Sequence, residues 1–293
     1  MLQKLVVLTL SAIALQGLSS CTPETIAPKP TTTTTAANQT QASLKVGGSS
    51  STVNLLNVLI TSYTSTANTV KITQLEPGQS ENIIDGVKLK VVDVGVISKV
   101  LKPKENDGTL EVREVAKDAL VVATHPSVTG VKNLTTEDLK GIYSGTVTNW
   151  KQLGGPDAKI VLLDRPEDES AKRLLRKHYL GSELKNSPEA VVLRKEGELI
   201  KTIQSTPYSI GTFSVAQAVS QKLPVNRLIL NGIEPTPENV KAGKYVMVRE
   251  ISMIWHKNPS EATQTFIEYI FSSSGINAIE QSGFIAVNSS AKK

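Results

Sequence analysis

The sequence predicts an α/β protein of two lobes, each a mostly parallel sheet flanked by helices. Short β-rich runs alternate with helical patterns from Leu44 almost to the C-terminus, as they do where helices cover parallel strands. Hydrophobic residues make up 39% and charged residues 20% of the 293 residues, so a sizeable core can be buried. No repeat of roughly 20 to 50 residues is present, which sets a solenoid aside.

The first residues stand outside that pattern. Lys4 precedes an apolar run, Leu5 to Leu15, of signal-peptide length and too short to span a membrane. "LSSC", Leu18 to Cys21, resembles the lipobox of bacterial lipoproteins. That resemblance implies cleavage after residue 20 and lipidation of Cys21. Cys21 is the sole cysteine, so once it is acylated no disulfide can form. Residues 22–43 are rich in threonine and proline and poor in large apolar side chains, the composition of a disordered tether.

The folded part opens with "LKVGG", a strand ending in a turn, and "TVNLLNVLITSYTS", whose apolar residues at 53, 55, 56, 59 and 60 have helical spacing. "TVKITQL" reads as a strand and "SENIIDGVKL" as a helix opening at Ser80. "VVDVGVIS" and "ALVVATH" are strands. "TTEDLKGIYSG" is a helix capped by Thr135 or Thr136, with acidic residues in its first turn. "KIVLLDR" is a strand, and "SAKRLLRKHYLG" a helix that stops at Gly181. "YSIGTFS" and "NRLILNG" are strands, and "SEATQTFIEYIFSSSG" one long helix ending near Gly275. The chain is expected to cross between lobes after "LVVATH" and again near "YVMVRE". Residues 44–124 plus 246–293 then form lobe one and residues 125–245 lobe two.

Several stretches, in order, resemble the substrate-binding proteins of bacterial phosphate ABC transporters. They are "GSSSTV", "LTTEDLKGIYSGTVTNWKQLGG", "TPYSIGTFS", "LILNGIEPTPENVKAGKYVMVRE" and "FIEYIFSSSGINAIEQSGFIAV". Together they span the chain from residue 44 onward. The resemblance implies a type II periplasmic-binding-protein fold that holds phosphate or a similar oxyanion between its lobes for an ABC transporter permease. With the lipobox, it implies a monomeric protein held at the membrane by its lipid, facing away from the cytoplasm.

It also implies an anion-binding set: Ser51, Thr52, the amide of Val53, Ser80, Lys99, Arg165, Ser170, Ala171 and Lys172. The chemistry fits in part. A hydroxyl-rich turn opening a helix offers O–H and N–H donors at the positive end of the helix dipole, and a guanidinium gives planar paired donors. Other roles stay open for the same residues. One of Ser49, Ser50, Ser51 or Thr52 suffices as an N-cap, and Ser80 can cap the next helix. Lys99 can be a solvated strand end. Asp168 or Ser170 can cap the helix after Arg165, with Arg165 neutralised by Glu167, Asp168 or Glu169. The chain also departs from the family pattern. Glycines are missing after Ser80, and Ala171 and Lys172 replace a glycine and a threonine. Lys99 stands where an acidic acceptor or an arginine is expected.

Those departures leave a second reading: a sensor or adhesion lipoprotein of the same fold, or a receptor for another oxyanion or for a phosphorylated or carboxylated molecule. Catalysis is set aside. His125, His178 and His256 have neither metal-ligand spacing nor a nucleophile beside them, and no cofactor motif is present. The net charge of +5 is spread among acids, which does not make a nucleic-acid footprint.

Overall fold

The computed structural model describes residues 42–66, 70–101 and 103–287. The leader, Cys21 and the tether up to residue 41 lie outside the described residues. Ala42 and Ser43, read as the end of the tether, already pair with the second strand.

In chain order the elements are β1 (Ala42–Gly48), α1 (Val53–Thr66), β2 (Val70–Gln74), α2 (Ser80–Lys88) and β3 (Val94–Ile97). β4 (Leu110–Thr124), β5 (Asn133–Leu134), α3 (Thr136–Ser144), β6 (Val161–Asp164) and α4 (Ser170–Leu175) follow. Then come β7 (Val191–Val192), α5 (Glu196–Ser205), β8 (Ser209–Ser214), α6 (Val215–Ser220), β9 (Asn226–Arg227) and β10 (Ile229–Leu230). The chain closes with α7 (Pro237–Lys241), β11 (Val248–His256), α8 (Glu261–Ile270), α9 (Ser273–Gln281) and β12 (Ile285–Ala286).

The main sheet runs β2-β1-β3-β11-β4-β8-β6-β7. β1 pairs in parallel with β2 and β3, and β6 with β7 and β8. Between these parallel flanks, β11 and β4 run antiparallel to their neighbours. β4 joins the two halves. Its residues Leu110 to Ala119 pair with β11, and Leu120 to Thr124 pair with β8. Its first half escaped the sequence reading because Glu111, Arg113, Glu114, Lys117 and Asp118 interrupt the apolar alternation.

Both faces of each half are covered, and strand periodicity sorts the side chains. On β4, Leu120 and Val122 join a cluster with Trp150, Leu162 and Ile210, while Val121 and Ala123 pack with Leu163, Phe213 and Leu199 on the other face. In the first half, Val94 and Val96 pack with Leu56, Met253 and Phe266. Ile97 and Ile254 pack with Ile83 and Val87 of α2.

Thr135 is the N-cap of α3, with a full capping box to Asp138. The helix expected to stop at Gly181 is α4 followed by a π turn, Arg176–Leu180, and Gly181 ends it at φ 75°. The long helix expected to end near Gly275 is instead two. The chain turns at Phe271, and Ser272 caps α9, which contains Gly275. A Cβ at Gly275 meets Ile270 O at 2.3 Å and Tyr269 O at 2.5 Å, so the corner needs a residue without a side chain. Gly275→Ala is expected to cost about 1–3 kcal/mol, read as a fall of several degrees in Tm. An unchanged melting curve counts against this account of the corner.

Candidate functional site

Four chain segments converge on one small polar cavity. They are the turn after β1, the start of α2, the end of β3, and the segment from Asp168 into α4, with Arg165 just behind the lining and bonded to its Glu169. The cavity measures about 10 Å³, room for roughly one water-sized sphere.

The turn before α1 folds as the hydroxyl pattern predicts, but its hydroxyls divide. Ser51 Oγ lies 3.1 Å from Ser98 Oγ and 3.5 Å from Ser170 Oγ, so three serines from three segments meet there. Thr52 points the other way. It is fully buried, and its Oγ1 donates to Val96 O at 2.8 Å and to Ser49 O at 3.2 Å, locking the turn to β3. The Val53 amide donates to Ser49 O at 3.1 Å. Thr52 and Val53 therefore close the helix start and offer the cavity neither hydroxyl nor amide.

Ser80 is the first residue of α2 and lines the cavity. The N-cap position belongs to Gln79, whose side chain makes no cap bond. Its Nε2 donates instead to Glu169 Oε1 at 3.2 Å. Lys99 is turned outward. Its Nζ sits 2.7 Å from both Glu81 Oε1 and Glu105 Oε1, and it lines an outer groove of about 570 Å³, not the inner cavity. Burial pushes the Lys99 ammonium down, but its bonds to Glu105 and Glu81 outweigh that and hold it above its ordinary value.

Arg165 follows β6 and is 3% exposed. Its Nη2 pairs with Glu169 Oε2 at 2.8 Å and lies 3.3 Å from Ser50 Oγ. Its Nε and Nη1 are buried without a partner. A guanidinium cannot shed its charge, so two nitrogens with unmatched N–H donors in the interior are an unfilled demand for an acceptor.

The three acids after Arg165 separate. Glu167 is gripped by Arg176 at 2.7 and 3.1 Å and by Asn186 at 2.9 Å, and the Arg176 bond, with burial working against it, holds its carboxyl near 2. Asp168 pairs with Arg194 at 2.9 Å. Asp168 and Glu169 both line the cavity, but only Glu169 is buried. It is the acceptor that the residue at position 99 does not provide.

Ser170 opens α4 and faces the cavity, whereas Ala171 and Lys172 do not. Ala171 belongs to the apolar cluster around Trp150. Lys172 is wholly buried, with Nζ bonded to Asp164 Oδ2 at 2.5 Å and Asn186 Oδ1 at 3.0 Å, and 4.7 Å from the Tyr143 ring centre. Two positions along a helix turn a side chain by about 200°, which puts Lys172 behind Ser170.

The sequence reading missed Ser98, Gln79 and Arg173, and gave Glu169 only as one of three acids able to neutralise Arg165, which Glu169 does at 2.8 Å. Arg173 sits one turn after Ser170 and borders both cavity and groove. It donates to Ser98 O at 3.4 Å and to the carbonyl of Asp168. The three-residue spacing from Ser170 was the available signal for Arg173. Serine hydroxyls and guanidinium N–H donors suit a small oxyanion. Of the three carboxylates on the lining, Glu81 is paired with Lys99 and Asp168 with Arg194, and Glu169 is the buried one, an acceptor for an oxyanion that still carries a proton.

Comparisons with known proteins identify the family and the fold. A family model described as a PBP superfamily domain matches residues 33–274. The phosphate-binding protein PstS of Borreliella burgdorferi is 29% identical over 252 residues, 83% of this chain and 90% of that protein. A phosphate ABC transporter substrate-binding protein of Clostridium perfringens, solved with bound phosphate, superposes at TM-score 0.75 with 26% identity, covering 84% of this chain and all of that one. An ABC-type phosphate transport receptor of Vibrio cholerae shares the fold at TM-score 0.63 and 24% identity, over 84% of this chain and all of that one.

Proposed function

The chain belongs to the PBP superfamily, and we propose that it captures phosphate between two lobes and hands it to an ABC permease. The observation that carries this reading is Arg165, a buried permanent cation with Nε and Nη1 unpartnered beside a ring of hydroxyls. The phosphate-binding relatives support the choice of anion.

The proposed ligands are Arg165, Ser51, Ser80, Ser98 and Ser170, with Gln79, Glu169 and Arg173 at the rim. The lobes are taken as residues 44–124 with 246–293, and 125–245. Four contacts then cross the cleft: Ser50 to Arg165, Ser51 to Ser170, Gln79 to Glu169, and Arg173 to Ser98. A tetrahedral oxyanion is larger than the cavity, so these contacts part to admit it and the lobes re-close on it. Hinge closure of this kind removes water from the charged pair and strengthens it. A micromolar site needs about 8 kcal/mol, and bonds to charged groups contribute about 1.5–3 kcal/mol each. Lipid on Cys21 completes the proposal by holding the protein at the membrane where the permease sits.

Thermal shift of the purified protein with phosphate, sulfate, molybdate, arsenate and organic phosphates tests the reading. Phosphate at a hundredfold excess over Kd adds about 2.7 kcal/mol, expected as a Tm rise of roughly 5–10 °C for a domain of this size. No shift with any anion favours a sensor or adhesion role for the same fold. A shift with organic phosphates alone redirects the substrate class.

A further inference from the structure

We infer that Lys172 is a positioning residue for anion binding: its ammonium neutralises Asp164, leaving the Arg165 guanidinium next to it free to act on the anion. The inference rests on the phosphate-binding reading above, and it assigns Lys172 a role behind the site, since the side chain makes no contact with the cavity.

Asp164 ends β6 and is 2% exposed. One carboxylate oxygen accepts the Arg165 amide at 2.8 Å, and the other takes the Lys172 ammonium at 2.5 Å. Asp164 therefore touches the anion-binding arginine through the backbone and the buried lysine through its side chain. Tyr143 of α3, Glu167 of the following loop and Arg176 of the π turn also act on this pair. Glu167 pairs with Arg176 at 2.7 Å and stands farther from the Lys172 ammonium, at 4.0 Å, than Asp164 does. That leaves Lys172 as the counter-charge for Asp164. Without it, an uncompensated carboxylate lies behind Arg165, and its field partly offsets the guanidinium's attraction for an incoming anion. Burial raises the Asp164 carboxyl even with Lys172 in contact. Removing the lysine raises it further, because an unpaired buried carboxylate relieves itself by taking a proton.

The test is titration calorimetry with inorganic phosphate on the wild type, Lys172→Met, Asp164→Asn and the double variant, each from pH 6 to 9. Affinities are expressed relative to wild type at each pH, which cancels the titration of phosphate itself. Lys172→Met is expected to bind roughly tenfold more weakly at pH 8, the effect of one charge on the order of 10 Å away at an effective dielectric near 20. That deficit shrinks toward pH 6 as Asp164 protonates. Asp164→Asn, which leaves an extra cation, binds at least as tightly as wild type. The double variant returns to within about threefold of wild type and, holding no unpaired charge, keeps the test available if Lys172→Met does not fold. Equal weakening in all three variants, independent of pH, overturns the inference and leaves Lys172 a structural residue. A wild type that binds no phosphate overturns the functional reading and this inference with it.

Discussion

Arg165→Met removes phosphate binding while the protein stays folded. Among the described residues the guanidinium is the buried cation beside the cavity whose donors the protein leaves unmatched, and methionine fills much of its volume without a charge. Losing two or three bonds to a charged acceptor, at about 1.5–3 kcal/mol each, weakens binding at least a thousandfold, about 4 kcal/mol. The substitution also strips Glu169 of its 2.8 Å partner. A buried carboxylate left alone costs about 3–5 kcal/mol of stability, so Arg165→Met melts early. Arg165→Met with Glu169→Gln removes both charges, restores most of the stability and still fails to bind. Calorimetry and a melting curve on both variants separate the two effects. A phosphate Kd within about threefold of wild type in the double variant takes Arg165 out of the site.

Most elements were legible because local rules decide them. α1 and α2 show their apolar periodicity, and Thr135 announces its capping box. What local rules could not decide is direction. Ser51 and Thr52 are chemically alike and adjacent, yet the path of the turn aims one at the cavity and the other at the Val96 carbonyl. Ser170 and Lys172 share a helix, and its rotation sends them to opposite sides. A carboxylate was expected at position 99, at the end of β3, whereas the buried one stands at position 169, before α4, because only folding brings the start of α4 against the start of α2. Glu167, Asp168 and Glu169 looked equivalent in the sequence. Arg176 and Arg194 pair with the first two at the surface, and only the third is buried against the cavity and Arg165.

The largest effect on stability is expected at Arg249, where the strands joining the two halves are tied together. Arg249 of β11 lies in register with Asp118 of β4 and donates to it through Nε at 2.9 Å and Nη2 at 2.7 Å. It also donates to Glu196, at the start of α5, at 2.6 and 2.9 Å. Ser214, the N-cap of α6, donates to Asp118 at 2.9 Å. One buried guanidinium thus holds both connecting strands to the helices beyond them. Arg249→Met leaves two buried carboxylates facing each other, at a cost of about 3–5 kcal/mol at neutral pH and a Tm loss on the order of 10 °C. The pH dependence separates this from a simple packing defect. Burial already pushes the Asp118 carboxyl up to about 6 against the pull of Arg249. A carboxyl raised above its unfolded value binds more protons folded than unfolded. Its stability contribution is therefore full below about 4 and is lost as pH rises through the folded value. Taking Arg249 away raises Asp118 further and widens that window toward neutral pH. The variant should therefore regain stability as pH falls from 8 to 5, the reverse of ordinary acid denaturation, because protonation discharges the pair that Arg249 no longer holds. An equal Tm deficit at pH 5 and pH 8 means the loss is one of packing, and the charges at this junction then do not govern how firmly the two halves are joined.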